Sequence, residues 1–218
     1  MSEARTRTLG AIFYEDFELL DMYGPLEMFG SLGPELEIVC VAEQAGEVKS
    51  AQGPKAVAER SFEDCPALDL LLLPGGVGTI SQLGNEALLE FLRARSRSAE
   101  VTMSVCSGSA LLAKAGVLDG RRATSNKQFF SLATGQSEKV DWVEAARWVE
   151  DGPVATSSGV SAGMDMAISV IGRLWGPERA EQIATLTEFE PQRDPTHDPF
   201  VRYLNEGAAA LAALAGSS

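Results

Sequence analysis

Short apolar runs alternate along this chain with stretches whose apolar positions recur at helical spacing, and glycine or proline stands at most junctions. Leu9-Gly-Ala-Ile-Phe-Tyr14 reads as a buried first strand. From Leu19 to Gly30 the apolar positions follow a helix, yet Pro25 falls inside the run. Placing Pro25 in the first turn, where a missing N–H costs little, sets the helix start near Gly24–Pro25 and leaves Asp21 on the loop or turn before it. Leu36 to Ala42 is a second strand, and Val48 to Phe62, with Gly53-Pro54 in its middle, reads as a short hairpin or excursion. Leu68 to Pro74 is almost continuously apolar, as a central parallel strand covered on both faces should be. It stops at Pro74-Gly75-Gly76-Val-Gly78. A helix over Glu86–Arg97, a central strand over Val101–Val105 and a helix over Ser107–Ala115 follow. Trp148 to Thr156 has the pattern of a hairpin about Asp151-Gly152, and two helices, Val160–Leu174 and Pro177–Phe189, meet at Gly176-Pro177. The Ala/Leu/Gly-rich tail from Gly207 reads as a frayed helix.

Strands alternating with helices predict an α/β chain with a mostly parallel sheet between helical layers, and 218 residues without a linker or repeat suit one domain over 1–218. Ligands of such sheets bind beyond the carboxyl ends of the strands. Tyr14, Gly75 and Cys106 all follow strand ends, so their loops can converge.

Cys106 carries the most chemistry. It sits where a strand turns abruptly into a helix, the thiol counterpart of a nucleophile elbow. Free N–H groups and the positive end of the helix dipole at that place lower a thiol pKa. Ser107, Gly108 and Ser109 are small enough to let the first turn approach a substrate or an oxyanion. The plainer alternative is a small apolar residue buried at a strand end. Asp21 divides likewise between a helix cap and a catalytic carboxyl. Beside a thiolate it would feel a like charge and desolvation, which raise its pKa and keep it protonated.

Charge and composition narrow the partners. With 31 acidic against 18 basic side chains the net charge is −13, which argues against nucleic acid. No apolar stretch approaches bilayer length, and the N-terminal residues carry no apolar signal region. Cys40, Cys65 and Cys106 have no metal-type spacing and fit a reducing cytoplasm; the single histidine, His197, lies in a Pro- and Asp-rich segment that reads as surface or lid. Neither a metal nor an organic cofactor is expected, and Gly75-Gly76-Val-Gly78 lacks the lysine and glycine pattern of a phosphate loop. Met22, Tyr23, Phe129 and Phe130 are candidates for an apolar pocket or for core packing.

Leu20-Asp21-Met-Tyr-Gly24-Pro25, Leu73-Pro74-Gly75-Gly76 and Ser104-Val-Cys106-Ser-Gly108-Ser-Ala-Leu-Leu-Ala, followed by Gly159-Val-Ser-Ala-Gly163-Met-Asp165, together resemble the ThiJ/PfpI superfamily. The resemblance runs from about residue 8 to about residue 190, leaving 191–218 as a tail. It implies a flavodoxin-like three-layer sandwich, shared with class I glutamine amidotransferases, and a homodimer. The Leu-Asp-x-x-Gly-Pro signature, with aspartate where other branches carry glutamate, is most similar to the isonitrile (isocyanide) hydratase branch and to amidase-like domains of some transcription regulators. Beyond residue 190 no helix-turn-helix pattern follows, so the regulator reading loses its DNA-binding half. The resemblance implies Cys106 as nucleophile, Asp21 as its acidic partner, and Gly75, Gly76 and Ser107 as oxyanion or substrate-binding groups. Two departures stand out: Asn126 occupies the place of the histidine of protease-like members, which disfavours peptidase or glutaminase chemistry, and Ser107 replaces an expected threonine. The implied activity is conversion of an isocyanide to an N-substituted formamide. Alternatives are a redox-responsive or stress-protective protein with an oxidisable Cys106, or glyoxalase-like detoxification.

Overall fold

A computed structural model describes residues 5–209. The elements in chain order are β1 (Arg7–Ile12), α1 (Leu19–Gly30), β2 (Leu36–Ala42), β3 (Gly46–Lys49), β4 (Lys55–Ala58), β5 (Arg60–Ser61), β6 (Leu70–Leu73), α2 (Thr79–Gln82), α3 (Glu86–Ser96), β7 (Val101–Val105), α4 (Gly108–Lys114), β8 (Arg122–Ala123), α5 (Phe130–Thr134), β9 (Asp141–Trp142), β10 (Trp148–Asp151), β11 (Val154–Ser157), α6 (Ala162–Trp175) and α7 (Pro177–Leu186). Seven strands form one sheet in the order β10-β11-β7-β6-β1-β2-β5. All neighbours are parallel except the β10–β11 hairpin at one edge. β3 and β4 make the separate antiparallel hairpin that the Gly53-Pro54 break predicts.

Strand order explains the helix layers. The β1→β2 crossover and the β6→β7 crossover advance in opposite directions along the sheet, so right-handed connections put α1 and α3 on opposite faces. α1 packs on α6 and α6 on α7, while α2, α3 and α5 gather around α4. The fully apolar Leu70–Leu73 is buried along its whole length at the centre, with β7 beside it, as expected of strands covered twice.

The first helix differs from the sequence expectation. α1 begins at Leu19, five residues before Gly24, so Asp21 lies in its first turn and Pro25 inside it. Pro25 removes one N–H from the helix ladder. That defect is tolerated because the segment packs closely: a Cβ on Gly24 would lie 2.9 Å from Met164 Cγ, and one on Gly163 would lie 3.1 Å from Pro25 Cγ. β8 and β9, a two-stranded parallel pair, also escaped the sequence pattern, each being only two residues long. The tail expected as a frayed helix is helical at 206–209; 210–218 lie outside the described residues.

Gly108 opens α4 for a packing reason rather than to admit a substrate. A Cβ there would lie 2.6 Å from the Pro74 carbonyl oxygen and 2.8 Å from that of Leu73. The elbow helix is therefore pressed against the end of β6. An alanine inside a helix ordinarily stabilises relative to glycine by about 1 kcal/mol. Gly108→Ala is expected to do the reverse, lowering the unfolding free energy by about 1–3 kcal/mol in urea titrations, because the backbone it meets cannot move aside.

Candidate active site

Cys106 joins β7 to α4 with φ at 57°, a left-handed conformation that a non-glycine residue adopts at a cost. Its backbone is tied on both sides. The N–H donates to the carbonyls of Ser157 and Ser158, at 3.2 and 3.1 Å. The carbonyl accepts from the hydroxyls of Ser109 and Ser125, each at 3.1 Å. The elbow predicted from sequence is present, and the side chain it lifts is 7% exposed.

Three N–H groups converge on Sγ: the backbone amides of Ser107 and Val160, and the Asn126 side-chain amide at 3.1 Å. The Asn126 Oδ1 accepts from the Phe129 N–H at 3.1 Å, which fixes the amide so that its NH2 faces sulfur. Val160 delivers its N–H from a left-handed backbone, φ 39°, which is an outlier for a β-branched residue. The loop bearing Asn126 is pinned by the buried Lys127, whose ammonium donates to Thr124 Oγ1 at 2.8 Å and the Ala146 carbonyl at 2.6 Å. Asn126 was visible in the sequence only as a missing histidine; the residue that stands there holds the sulfur instead.

Asp21 is fully buried, on the first turn of α1. Oδ2 accepts from the Gly75 N–H at 2.8 Å, Oδ1 is buried without a hydrogen-bond partner, and the Cys106 thiol lies close enough to act on the carboxyl's ionisation. It caps nothing in its own helix, so the catalytic alternative survives where the capping one does not. Burial is the main force on this carboxyl and pushes its pKa up to about 8; the nearby Glu18 adds to the rise, while the Gly75 and Cys106 hydrogen bonds oppose it.

The thiol departs from expectation. Burial pushes its pKa up rather than down, and the Asp21 charge pushes the same way; the three N–H donors resist without prevailing. The two acids are best regarded as one titrating pair. Burial and mutual repulsion raise both, so one of the two groups keeps its proton above the pH at which the other ionises.

The Gly75–Gly76 turn also differs from its expected role. The Gly75 N–H is committed to Asp21, and the Gly76 N–H donates to Ser107 Oγ at 3.1 Å, so neither amide is a free oxyanion donor. The turn is glycine because nothing larger fits: a Cβ on Gly75 would lie 2.6 Å from Ser107 Oγ and 3.0 Å from Asp21 Oδ2. Ser107 remains at the site, its N–H on sulfur and its hydroxyl beside the cavity.

That cavity, about 600 Å³, opens over Cys106 and Ser107. Val77, Ile80, Phe129, Leu132 and Val160 make its walls mainly apolar, and Glu18 is its charged residue. Of the four pocket candidates Phe129 lines it; Met22 and Phe130 are core, and Tyr23 is exposed. Cys40 and Cys65 lie away from it, and His197 is exposed. Among the described residues no group of three His, Cys, Asp or Glu side chains is disposed to hold a metal, and no helix is long and apolar enough to cross a membrane.

Isonitrile hydratase of Pseudomonas putida is 32% identical over 185 residues, 84% of this chain and 78% of that protein. The HTH-type transcriptional regulator CdhR of Pseudomonas aeruginosa is 29% identical, over 71% of this chain but 46% of its own length, so this chain spans about half of that relative. A crystal structure of a ThiJ/PfpI family protein from Pseudomonas syringae matches with a TM-score of 0.79 at 29% identity, covering 99% of this chain and 90% of that one. Drosophila melanogaster DJ-1beta shares the fold, with a TM-score of 0.75 at 19% identity over 85% of this chain and 100% of its own. Residues 8–173 match the DJ-1/PfpI family, and the chain belongs to that family.

Proposed function

We propose that the protein hydrates isocyanides, R–N≡C, to N-substituted formamides, with Cys106 as nucleophile and Asp21 as general acid and base. The observation that carries this reading is a buried carboxyl beside a buried thiol, the thiol lining an apolar cavity. The similarity to isonitrile hydratase supports it.

The terminal carbon of an isocyanide is electrophilic towards sulfur and must gain a proton as it is attacked. The nucleophilic form of the singly protonated pair is reached by moving the proton from the thiol to Asp21, which leaves the charge on Sγ facing the N–H groups of Ser107, Asn126 and Val160. Sulfur bonds to carbon and Asp21 protonates that same carbon, giving the thioimidate R–N=CH–S–Cys106 and a carboxylate. A water then adds to the carbon and returns one proton to Asp21. Its second proton reaches nitrogen, the C–S bond breaks with its electron pair returning to sulfur, and R–NH–CHO leaves. The oxygen and the new N–H come from water, the C–H from Asp21, and the pair is restored. No cofactor has a step to perform. The apolar walls suit an alkyl or aryl substituent, and burial of the thiol disfavours the oxidation-sensor alternative, which needs an exposed thiolate. In this reading the protein is a cytoplasmic homodimer acting on a small molecule.

Formamide production from a panel of alkyl and aryl isocyanides tests the proposal. Cys106→Ser and Asp21→Asn should each lower kcat/KM by about a hundredfold or more, the contribution usual for a positioned proton donor or nucleophile. Full turnover by Cys106→Ser would sink the mechanism.

The pH profile tests the titration of the pair. The doubly protonated pair lacks a nucleophile, so kcat/KM should rise with pH through about 8 and then level. Glu18 opposes ionisation of the pair by like charge, so Glu18→Gln should move the rising limb to lower pH. A limb unmoved by that change would remove Glu18 from the account.

A further inference from the structure

Three buried hydroxyls run in file beneath the cavity. Tyr14 Oη lies 2.7 Å from the Pro74 carbonyl oxygen and 3.1 Å from Thr79 Oγ1. Thr79 Oγ1 lies 2.9 Å from Ser107 Oγ, which in turn receives the Gly76 N–H at 3.1 Å. Tyr14 and Thr79 do not line the cavity; Ser107 does.

Each hydroxyl has one hydrogen to give, and the two ends of the file are backbone groups that cannot change roles. The Pro74 carbonyl can only accept, so Tyr14 donates to it; burial keeps Tyr14 a phenol, with its pKa raised well above the ordinary value. The Tyr14 oxygen is then free to accept from Thr79. The Gly76 N–H can only donate, so Ser107 accepts from it. The Ser107 hydrogen needs an acceptor, and Thr79 offers the shorter one. The alternative, the Gly76 carbonyl, is 3.4 Å away and already accepts the Thr79 N–H at 3.1 Å. The order Gly76 N–H → Ser107 → Thr79 → Tyr14 → Pro74 O=C gives every hydroxyl hydrogen its shorter acceptor.

From this we infer that Thr79, backed by Tyr14, is a positioning residue that turns the Ser107 hydroxyl hydrogen away from the cavity, so that Ser107 presents a lone pair to the water that resolves the Cys106 adduct. The inference rests on the hydration reading. One hydrogen of that water goes to the Asp21 carboxylate as its oxygen bonds to carbon. The other stays on oxygen, held by Ser107 Oγ, until it passes to nitrogen and the C–S bond breaks. A Ser107 hydroxyl pointing its hydrogen into the cavity would instead donate to the water and turn the attacking lone pair away from carbon.

The test uses Thr79→Val, which keeps the shape and removes the link, and Tyr14→Phe, which removes the acceptor at the far end and leaves Thr79 free to donate to Ser107. Both should lower kcat about tenfold with KM little changed, the loss corresponding to one misplaced hydrogen bond. Both should also accumulate the thioimidate on Cys106, seen as added isocyanide mass in acid-quenched protein. Thr79→Ser, which restores a hydroxyl, should recover the rate, and this rescue separates lost orientation from lost packing. Neutron diffraction of the wild type should place the Ser107 deuterium towards Thr79. Wild-type kcat in Thr79→Val, or a deuterium aimed into the cavity, overturns the inference. If the wild type forms neither adduct nor formamide, the hydration reading falls, and with it the role in turnover, while the neutron map still decides the direction of the chain.

Discussion

The left-handed backbone at Cys106 is the constraint from which the rest of the site follows. A non-glycine residue in that region costs on the order of 1–3 kcal/mol, and it persists only where the surroundings over-determine it. Here four hydrogen bonds to the Cys106 backbone, from or to Ser157, Ser158, Ser109 and Ser125, do so. The bend sends α4 back against the end of β6, which requires Gly108, and it brings Ser107 against Gly75 and Gly76. The Gly75 N–H in turn fixes Asp21, carried by an element from the other end of the domain sequence. One unfavourable φ thus sets the relative placement of three strand-end loops.

Burial then decides the electrostatics. A helix N-terminus alone would make the thiol more acidic. Enclosing it beside a carboxyl reverses the sign, since each group loses solvent and each opposes ionisation of the other. The N–H groups of Ser107, Asn126 and Val160 do not undo that effect, but they lower the cost of charge on sulfur, which three donors face while one faces Asp21.

The architecture and the two central residues were legible because they rest on local pattern. Leu68–Pro74 and Val101–Val105 announce central strands by continuous apolarity, and Cys106 announces itself by lying at a strand-to-helix junction. The start of α1 was not legible, because Pro25 is a local signal to begin a helix and the Gly24–Met164 and Gly163–Pro25 contacts that override it join residues far apart in sequence. Asn126 carried a weak signal: it stands where a histidine was expected, and an amide there keeps a donor while giving up proton transfer. β8 and β9 were too short to show a period. The commitment of the Gly75 and Gly76 amides could not be read at all, since a glycine turn looks the same whether its N–H groups are free or taken.

That last point bears on the reaction class. Acyl-transfer enzymes need donors aimed at the oxygen of a tetrahedral intermediate. At this site the backbone amides best placed for that are spent, Gly75 on Asp21, Gly76 and Ser107 on Ser107 Oγ and Cys106 Sγ. No histidine stands by to protonate a leaving amine, since Asn126 occupies the place beside sulfur. What the site does offer is a carboxyl that keeps its proton beside a thiol, and an apolar chamber above that thiol. An isocyanide asks for those two things: its carbon accepts sulfur and a proton in the same step, and no oxyanion forms until water enters. On the proposed hydration reading, the departures that weaken an amidase leave the chemistry intact.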